Sequence, residues 1–312
     1  MGYIQENQRM KISKNNNGEV IYLFDEYPGI EVRPEVITPG DIAKVAPWSK
    51  KVPWLVNKMM HLLQIDEVNR VHSNWSNTPG PEFVKHLMED EFRIQLQVDN
   101  AEVLDRFKEG AFITVSNHPF GSIDGIALIY ILTRIRPEFK VMVNMILNKL
   151  SAMRPNFIAV DQAASPDEDK RRVSVAGIRE AISMLKSGKP VGFFPAGAIG
   201  KTDSEGIIVD RQWQPAILQI IGKAKVPVIP VYFHGTNSKL FNFLGHLSYI
   251  LRTAWLPREL FKKRGKPMRV TIGEPVSVEK IAEFGRDYEA LGQYLRQTTY
   301  RLSGQEITSV SK

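Results

Sequence analysis

The chain has 312 residues, of which 43% are hydrophobic and 24% charged, as in a globular protein that buries a large core. It contains no cysteine, which excludes disulfide frameworks, thiolate metal sites and cysteine nucleophiles. Lysine and arginine exceed aspartate and glutamate by 41 − 34 = 7, and the resulting pI of about 9.4 favours anionic partners such as nucleic acid, a lipid surface or a phosphorylated cofactor.

Hydropathy predicts neither a signal peptide nor a membrane-spanning helix. The N-terminus is polar, and the longest uncharged run, residues 110–123, contains glycine, asparagine, histidine and proline. A spanning helix needs about 18 or more apolar residues. We therefore expect a soluble or peripheral protein.

Residues 1–92 predict an N-terminal arm and an amphipathic helical cap. The apolar run 20–24 indicates a short strand or a docking arm, and a helix is predicted from Pro81 to about Glu91. Between residues 47 and 63, five apolar side chains share one helical face: Trp54, Leu55, Met59, Leu62 and Leu63. Three lysines lie around it: Lys50, Lys51 and Lys58. This helix either packs on the core or lies in a membrane interface with tryptophan as its anchor.

Residues 93–312 predict one α/β domain with a largely parallel central sheet. Residues 93–98 alternate as a strand does, and Asp99 or Asn100 is expected to cap a helix that runs to Lys108. Further strands are predicted at 111–116, 139–144, 156–160, 190–194, 226–232 and 268–273. Helices are predicted at 122–134, 167–187, 212–223 and 288–303.

One apolar insertion, residues 239–264, interrupts this alternation. It is rich in leucine and aromatic residues and ends in Lys262-Lys263-Arg264. A segment this apolar must face a core, a partner or lipid. A packed helical hairpin and a lipid-facing segment are the two interpretations.

Polar residues follow the buried strand at 111–116, in the segment Asn117-His118-Pro119-Phe120-Gly121-Ser122-Ile123-Asp124. Ser122 is a suitable N-cap, which places Asp124 in the first turn of a helix, where the helix dipole favours its ionised form. Gly121 allows the loop to fold back, so that the carboxylate can reach the His118 imidazole. Such a pair is typical of a histidine general base, and a capped turn with an incidental histidine is the alternative. A metal site is not expected, because the six histidines form no HxxxH pair.

Two other segments follow predicted strands. The first, Phe194-Pro195-Ala196-Gly197-Ala198-Ile199-Gly200-Lys201, ends like a phosphate-binding P-loop, but Pro195 stands where that motif needs its first glycine. The second, residues 226–231, reads VPVIPV, and its prolines suggest an edge or wall strand.

Together these segments resemble the PlsC-like glycerolipid acyltransferase family over about residues 95–275. The four blocks, in order, are NHPFGSID, PNFIAVD (155–161), FPAGAI (194–199) and VPVIPV. Five residues rather than four separate His118 from Asp124, Ala196 and Ile199 replace the glutamate and arginine of the third block, and Ala159-Val160 stand where the second block has its arginine. These forms look more like the hemolysin-type and ornithine-lipid O-acyltransferase branch.

The resemblance implies a peripheral O-acyltransferase at the cytoplasmic face of the cell membrane. His118 would act as general base and Asp124 would orient it. A lyso-lipid, which for this branch is a lyso-amino-acid lipid, would accept an acyl group from an acyl-ACP or acyl-CoA thioester, with no cofactor, metal or nucleic acid. Substrate contacts are expected from the flanking residues: Asn117, Gly121, Ser122, Phe194, Pro195, Gly197, Lys201 and Arg211. The alternatives are a 1-acylglycerol-3-phosphate acyltransferase and a non-catalytic lipid-binding protein.

Overall fold

Strands and helices alternate along most of the chain. The computed structural model describes residues 10–161, 168–202 and 208–304. Its strands are β1 (Met10–Lys14), β2 (Val20–Phe24), β3 (Glu31–Val32), β4 (Gln95–Asp99), β5 (Ile113–Ser116), β6 (Lys140–Asn144), β7 (Phe157–Val160), β8 (Val191–Phe193), β9 (Lys201–Thr202), β10 (Ile208–Val209), β11 (Val228–Phe233) and β12 (Pro267–Ile272). Its α-helices are α1 (Pro39–Val45), α2 (Pro53–Leu62), α3 (Ile65–Trp75), α4 (Pro81–His86), α5 (Ile123–Thr133), α6 (Glu168–Lys186), α7 (Pro215–Ala224), α8 (Lys239–Leu247), α9 (Tyr249–Phe261), α10 (Val278–Ala282) and α11 (Tyr288–Arg301).

Among the described strands, seven form the central sheet, in the order β4-β12-β11-β5-β8-β6-β7. Strands β11, β5, β8, β6 and β7 run parallel, and β4 runs parallel to β12. Within this sheet of described strands, the antiparallel junction lies between β11 and β12. The predicted α/β fold with a largely parallel sheet is confirmed. Since the parallel strands share one carboxyl edge, the segments after β5 and β8 come together there.

The prolines of the fourth block do not mark an edge. Strand β11 lies between β12 and β5, so the prediction of an edge or wall strand is wrong. Proline is tolerated at position 230 because its missing N–H lies at the point where β11 and β12 stop pairing. Their paired residues begin with Val231 opposite Ile272, and the next contact is the Gly273 N–H on the Pro230 carbonyl, at 2.8 Å.

The helix predicted after β4 is a 3₁₀ helix, Ala101–Phe107, and the prediction of an Asp99 or Asn100 cap is wrong. Asn100 has a left-handed backbone (φ 57°), and its side-chain amide donates to the Ile272 carbonyl at 3.1 Å. The side chain therefore ties the loop to β12. The predicted helix 81–91 is α4 followed by a π-helical turn at Leu87–Glu91.

Two apolar clusters cover the two faces of the sheet. Helices α4 and α5 contribute to the first, and α6, α7 and α11 to the second. The first cluster includes Phe24 of β2 and Phe83 of α4, as well as Ile229 of β11. The N-terminal segment up to residue 92 and the α/β domain that follows it therefore share one hydrophobic core.

The apolar insertion forms a helical hairpin of α8 and α9, as one of the two interpretations predicted. The hairpin closes where Glu259 accepts hydrogen bonds from the Ser238 N–H (2.9 Å) and hydroxyl (2.7 Å). Much of its outer surface is nevertheless apolar and exposed: Leu240, Phe243, Leu247, Tyr249, Ile250 and Leu251. Within the described residues, none of the helices is long and apolar enough to cross a membrane.

The apolar face predicted for α2 is also largely exposed. Trp54 is 66% exposed, and Met59 and Leu62 are exposed as well, while the helix packs inward through Val56 and Met60. The core-facing interpretation of that face is therefore wrong. Helix α2 meets α9 where the Arg258 guanidinium donates to the Leu62 carbonyl.

Candidate active site

His118 and Asp124 form a close pair at the carboxyl end of β5. The Nδ1 atom of His118 lies 2.9 Å from Oδ2 of Asp124. Gly121, at φ +78°, makes the reversal that brings them together. The two atoms are within hydrogen-bonding distance, but the ring is not oriented for a well-aligned hydrogen bond. Catalytic hydrogen bonds are often poorly aligned before substrate binds.

The Asp124 carboxylate is fully buried and is satisfied by the loop that carries His118. Its Oδ2 accepts from the N–H groups of Phe120 (3.0 Å) and Gly121 (3.2 Å), and its Oδ1 accepts from Gly125 (3.0 Å). Ser122 occupies the N-cap position of α5, but its side chain makes no cap hydrogen bond, so that prediction is wrong. Asp124 itself satisfies the free amides at this turn, because its carboxylate reaches back into the loop.

Charge coupling sets the pKa values of the pair. Burial disfavours the charged imidazole, but the Asp124 carboxylate outweighs burial and holds the pKa of His118 above its ordinary 6.5. Burial would raise the pKa of Asp124, yet His118 and the loop amides keep it below its ordinary 3.8. A carboxylate on one imidazole nitrogen makes the other nitrogen a stronger base. His118, with 18% of its side chain exposed, can exchange a proton with a bound molecule.

Asp210 is a second buried carboxylate beside His118, and it was not predicted. Its Oδ1 accepts from the His118 N–H at 3.0 Å, and its Oδ2 accepts from the indole N–H of Trp213 at 3.2 Å. Burial raises the pKa of Asp210, and its charge adds to the raised pKa of His118. The backbone of Asp210 bonds Tyr300 and Arg296, both on α11. Asp210 thereby ties the histidine loop to α11.

The third block forms one wall of the site. The Phe194 ring lies 4.3 Å from the His118 ring, centroid to centroid. Gly197 has φ +65°, and a Cβ there would lie 1.9 Å from the Gln214 amide nitrogen, so only glycine fits. The Gly197 N–H donates to the Phe194 carbonyl at 2.9 Å, so this amide closes the turn. Pro195 is buried, and its carbonyl accepts from Gln214.

In this chain, packed apolar side chains occupy the positions where the second and third blocks of the family carry charged residues. Ala196 and Val160 are buried in the second cluster. Ile199 lies against Gly121, where a Cβ would come within 2.2 Å of its side chain. None of these three side chains can offer a charge to a phosphate.

The side-chain amide of Asn117 makes two hydrogen bonds to the backbone of β11. Its side chain donates to the Phe233 carbonyl at 3.0 Å and accepts from the Phe233 N–H at 2.7 Å. These bonds join the ends of β5 and β11 directly before His118. We assign Asn117 to positioning the loop rather than to substrate contact.

Lys201 and Arg211 are exposed at either end of the β9–β10 segment, and the structure adds a buried cation that sequence reasoning missed. Arg252, on α9, is 4% exposed and is electrostatically coupled to both Arg211 and His118. The signal available in the sequence was an arginine placed among apolar residues, Tyr249-Ile250-Leu251 before it and Ala254-Trp255-Leu256 soon after it. Charged residues are rarely buried without a partner or a role.

A model of a protein family described as "Acyltransferase" matches residues 42–306. The chain belongs to this acyltransferase family. The predicted family is confirmed, and the protein is an acyltransferase.

Two relatives of the acyltransferase are named lyso-glycine lipid O-acyltransferases. The one from Bacteroides thetaiotaomicron is 27% identical over 261 residues, which cover 81% of this chain and 92% of the relative. The one from Phocaeicola vulgatus is also 27% identical over 261 residues, covering 81% and 89%. The crystal structure of the 1-acyl-sn-glycerophosphate (LPA) acyltransferase PlsC from Thermotoga maritima is 20% identical, with a TM-score of 0.47 over 74% of this chain and 80% of that one. This structural likeness is too low to add to what the sheet topology shows.

We predict that the pKa of His118 depends on both nearby carboxylates. In ¹⁵N-histidine NMR titrations, the wild-type value should exceed 6.5. Asp124→Asn should lower it most, and Asp210→Asn should lower it less, because Asp124 is the closer and larger influence. Equal values in all three proteins would contradict the electrostatic account of the site.

Proposed function

We propose that the protein is an O-acyltransferase that moves a fatty acyl group from an acyl-ACP or acyl-CoA thioester to the hydroxyl of a lyso-amino-acid lipid, as a step in membrane lipid synthesis. The observation that carries the proposal is the His118–Asp124 pair, with its fully buried carboxylate, in a chain of the acyltransferase family. The relatives named lyso-glycine lipid O-acyltransferases support the class of acceptor. The intact pair of His118 and Asp124 disfavours the alternative of a non-catalytic lipid-binding protein.

In the proposed mechanism, Nε2 of His118 takes the proton of the acceptor hydroxyl while that oxygen attacks the thioester carbonyl carbon. Asp124 stays ionised and holds Nδ1, so the imidazolium that forms is stabilised by the adjacent carboxylate. The C–S bond then breaks, the ester remains on the acceptor, and His118 returns the proton to the thiolate. No acyl-enzyme forms, because the hydroxyl itself is the nucleophile.

The charge distribution favours an acceptor without a terminal phosphate. A phosphomonoester carries about −1.5 to −2 charges near pH 7, and burying that charge without paired cations is costly. Val160, Ala196 and Ile199 are packed apolar side chains that supply no cation at these positions. A singly charged or neutral head group is easier to accommodate, and this separates the proposal from a 1-acylglycerol-3-phosphate acyltransferase.

Exposed apolar side chains on α2 and on the α8–α9 hairpin support a peripheral site on the membrane. Ile250 is 76% exposed, and Phe243 and Trp54 are also exposed. The hairpin carries Arg252, which is coupled to His118, so a bilayer against this surface would be next to the site that receives its lipid. The basic run at 262–264 contributes less than expected, because Lys262 pairs with Glu259 and Arg264 with Glu67. The exposed lysines at 50, 51 and 58 remain for anionic lipid.

His118→Ala should lower the transfer rate by about 10²- to 10⁴-fold without unfolding the protein, because a general base contributes a factor of that order. Steady-state kinetics with a thermal melt would measure both effects. The matched control is His86→Ala, which removes the histidine of another His–Asp pair, with Asp90 at 2.6 Å. A His118→Ala protein with near-wild-type transfer would refute the proposed role.

The acceptor is tested by competition. Purified enzyme with one acyl donor, given equal amounts of lysophosphatidate and lyso-glycine lipid, should acylate the lyso-glycine lipid preferentially, because Val160, Ala196 and Ile199 supply no cation for a phosphomonoester. Mass spectrometry of the two products measures the ratio. Preference for lysophosphatidate would favour the 1-acylglycerol-3-phosphate acyltransferase instead.

Membrane binding is tested by vesicle sedimentation. Phe243→Ser with Ile250→Ser should weaken vesicle binding by about tenfold or more, since each large apolar side chain contributes on the order of 1.5–3 kcal/mol when removed from water. Ile182→Ser, at an exposed apolar position on α6, is the control and should bind as the wild type does. If the control and the double variant lost binding equally, the hairpin would not be the contact surface.

A further inference from the structure

Arg252 runs inward between the two helices of the hairpin. Its side chain passes over Gly245 of α8, where a Cβ would lie 2.7 Å from the arginine Cδ, and its guanidinium lies 5.9 Å from the centre of the Phe241 ring. Gly245 thus leaves space for the arginine stem. The result is a cation that is 4% exposed in a largely apolar element.

Other buried arginines of the protein have polar partners. Arg136 donates to the carbonyls of Gly110 (2.6 Å) and Gly188 (2.8 Å), and Arg296 donates to the Asp210 carbonyl at 2.9 Å. Within residues 10–161, 168–202 and 208–304, no carboxylate or carbonyl pairs with the Arg252 guanidinium. Among the described residues, the Arg252 guanidinium therefore has hydrogen-bonding capacity that the protein itself does not use.

The surroundings of Arg252 are cationic on the side of the active site. Burial lowers the pKa of Arg252, and the Arg211 charge lowers it further. The same guanidinium opposes the raised pKa of His118. Lys263 is the other cation of this region, but it already donates to the Thr236 carbonyl at 2.9 Å and lies over the Phe120 ring. The Arg252 charge therefore acts on the proposed base, and the Arg211 charge acts on Arg252.

We propose that Arg252, assisted by Arg211, binds the anionic group of the acceptor head group and thereby places the acceptor hydroxyl at His118. The ligand is a carboxylate, which a guanidinium binds through two parallel hydrogen bonds. This proposal rests on the proposed function, because the carboxylate belongs to a lyso-amino-acid lipid. It also explains how a site without the arginines of the second and third blocks retains a charged acceptor: the cation comes from α9 instead.

A phosphomonoester, or the phosphate of the acyl donor, presents related anionic chemistry. Guanidinium groups bind phosphate as well as carboxylate, so lysophosphatidate is included as a competing acceptor. Measuring the KM of the acyl donor and the KM of the acceptor independently shows which of the two substrates the arginine binds. The test below therefore includes all three sources of the anion.

The test compares acceptors with and without the charge. Wild-type enzyme, Arg252→Gln, Arg252→Lys and Arg211→Gln are each assayed with lyso-glycine lipid, its methyl ester and lysophosphatidate. Arg252→Gln should raise the KM for lyso-glycine lipid about 10- to 100-fold and leave the KM for the methyl ester and the acyl donor within about twofold. Arg252→Lys should lose less, and Arg211→Gln should raise the same KM several-fold.

Arg258→Gln is the matched control, because it removes the same charge from the same helix, where Arg258 stacks on Trp255. It should leave all KM values unchanged. A thermal melt of each variant distinguishes a folding defect from a loss of substrate binding. Because Arg211 is exposed, Arg211→Gln tests the proposal if Arg252→Gln does not fold.

Equal loss with the acid and the ester, or a raised KM for the acyl donor alone, would overturn the assignment of Arg252 and leave the proposed function standing. If the wild-type enzyme used only lysophosphatidate, the proposed function would fail. In that case an Arg252→Gln protein with a raised KM for lysophosphatidate would still support an anion site, and an unchanged KM would refute it.

Discussion

The buried carboxylate of Asp124 is the constraint on which the site depends. A fully buried charge is tolerated only when its oxygens are paired and hydrogen-bonded. Here the amides of Phe120 and Gly121 and the His118 ring, all from the loop that Asp124 closes, supply those partners together with the Gly125 amide of α5. Satisfying one carboxylate therefore fixes the loop, and the loop fixes the imidazole that the carboxylate makes basic.

Neighbouring elements hold this loop in place through the backbone of its first residues. Asn117 joins it to β11, Asp210 accepts the His118 N–H, and the His118 carbonyl accepts from Gly200 at 3.0 Å. The base is thus built on rigid strand ends and on α11, while the hairpin that faces outward carries the acceptor-side arginine. This division lets the head-group preference change through α8 and α9 without disturbing the proton chemistry, which is consistent with a family whose third block here lacks its usual charges.

The sequence was sufficient for the parts that depend on local pattern and order. Strand and helix alternation predicted the α/β sheet, and the NHPFGSID segment predicted that Asp124 reaches His118. It was insufficient where tertiary contacts decide. Pro230 lies in a central strand because pairing with β12 ends beside it, and Asp99–Asn100 do not cap a helix because the Asn100 amide bonds Ile272. Asp210 lies 92 residues from His118 in sequence, and Arg252 lies farther still, so only the fold reveals that both act on His118.

The central claim is that neutral His118, made basic by Asp124, accepts the proton of the acceptor hydroxyl. The most direct test is to compare the pH dependence of kcat/KM with the NMR titration of His118 in the same protein. The account predicts that activity rises with pH along a limb centred on the pKa of His118, above 6.5, and that the limb and the titration move to lower pH together in Asp124→Asn. A limb that does not coincide with the His118 titration, or that stays in place when Asp124 loses its charge, would contradict it.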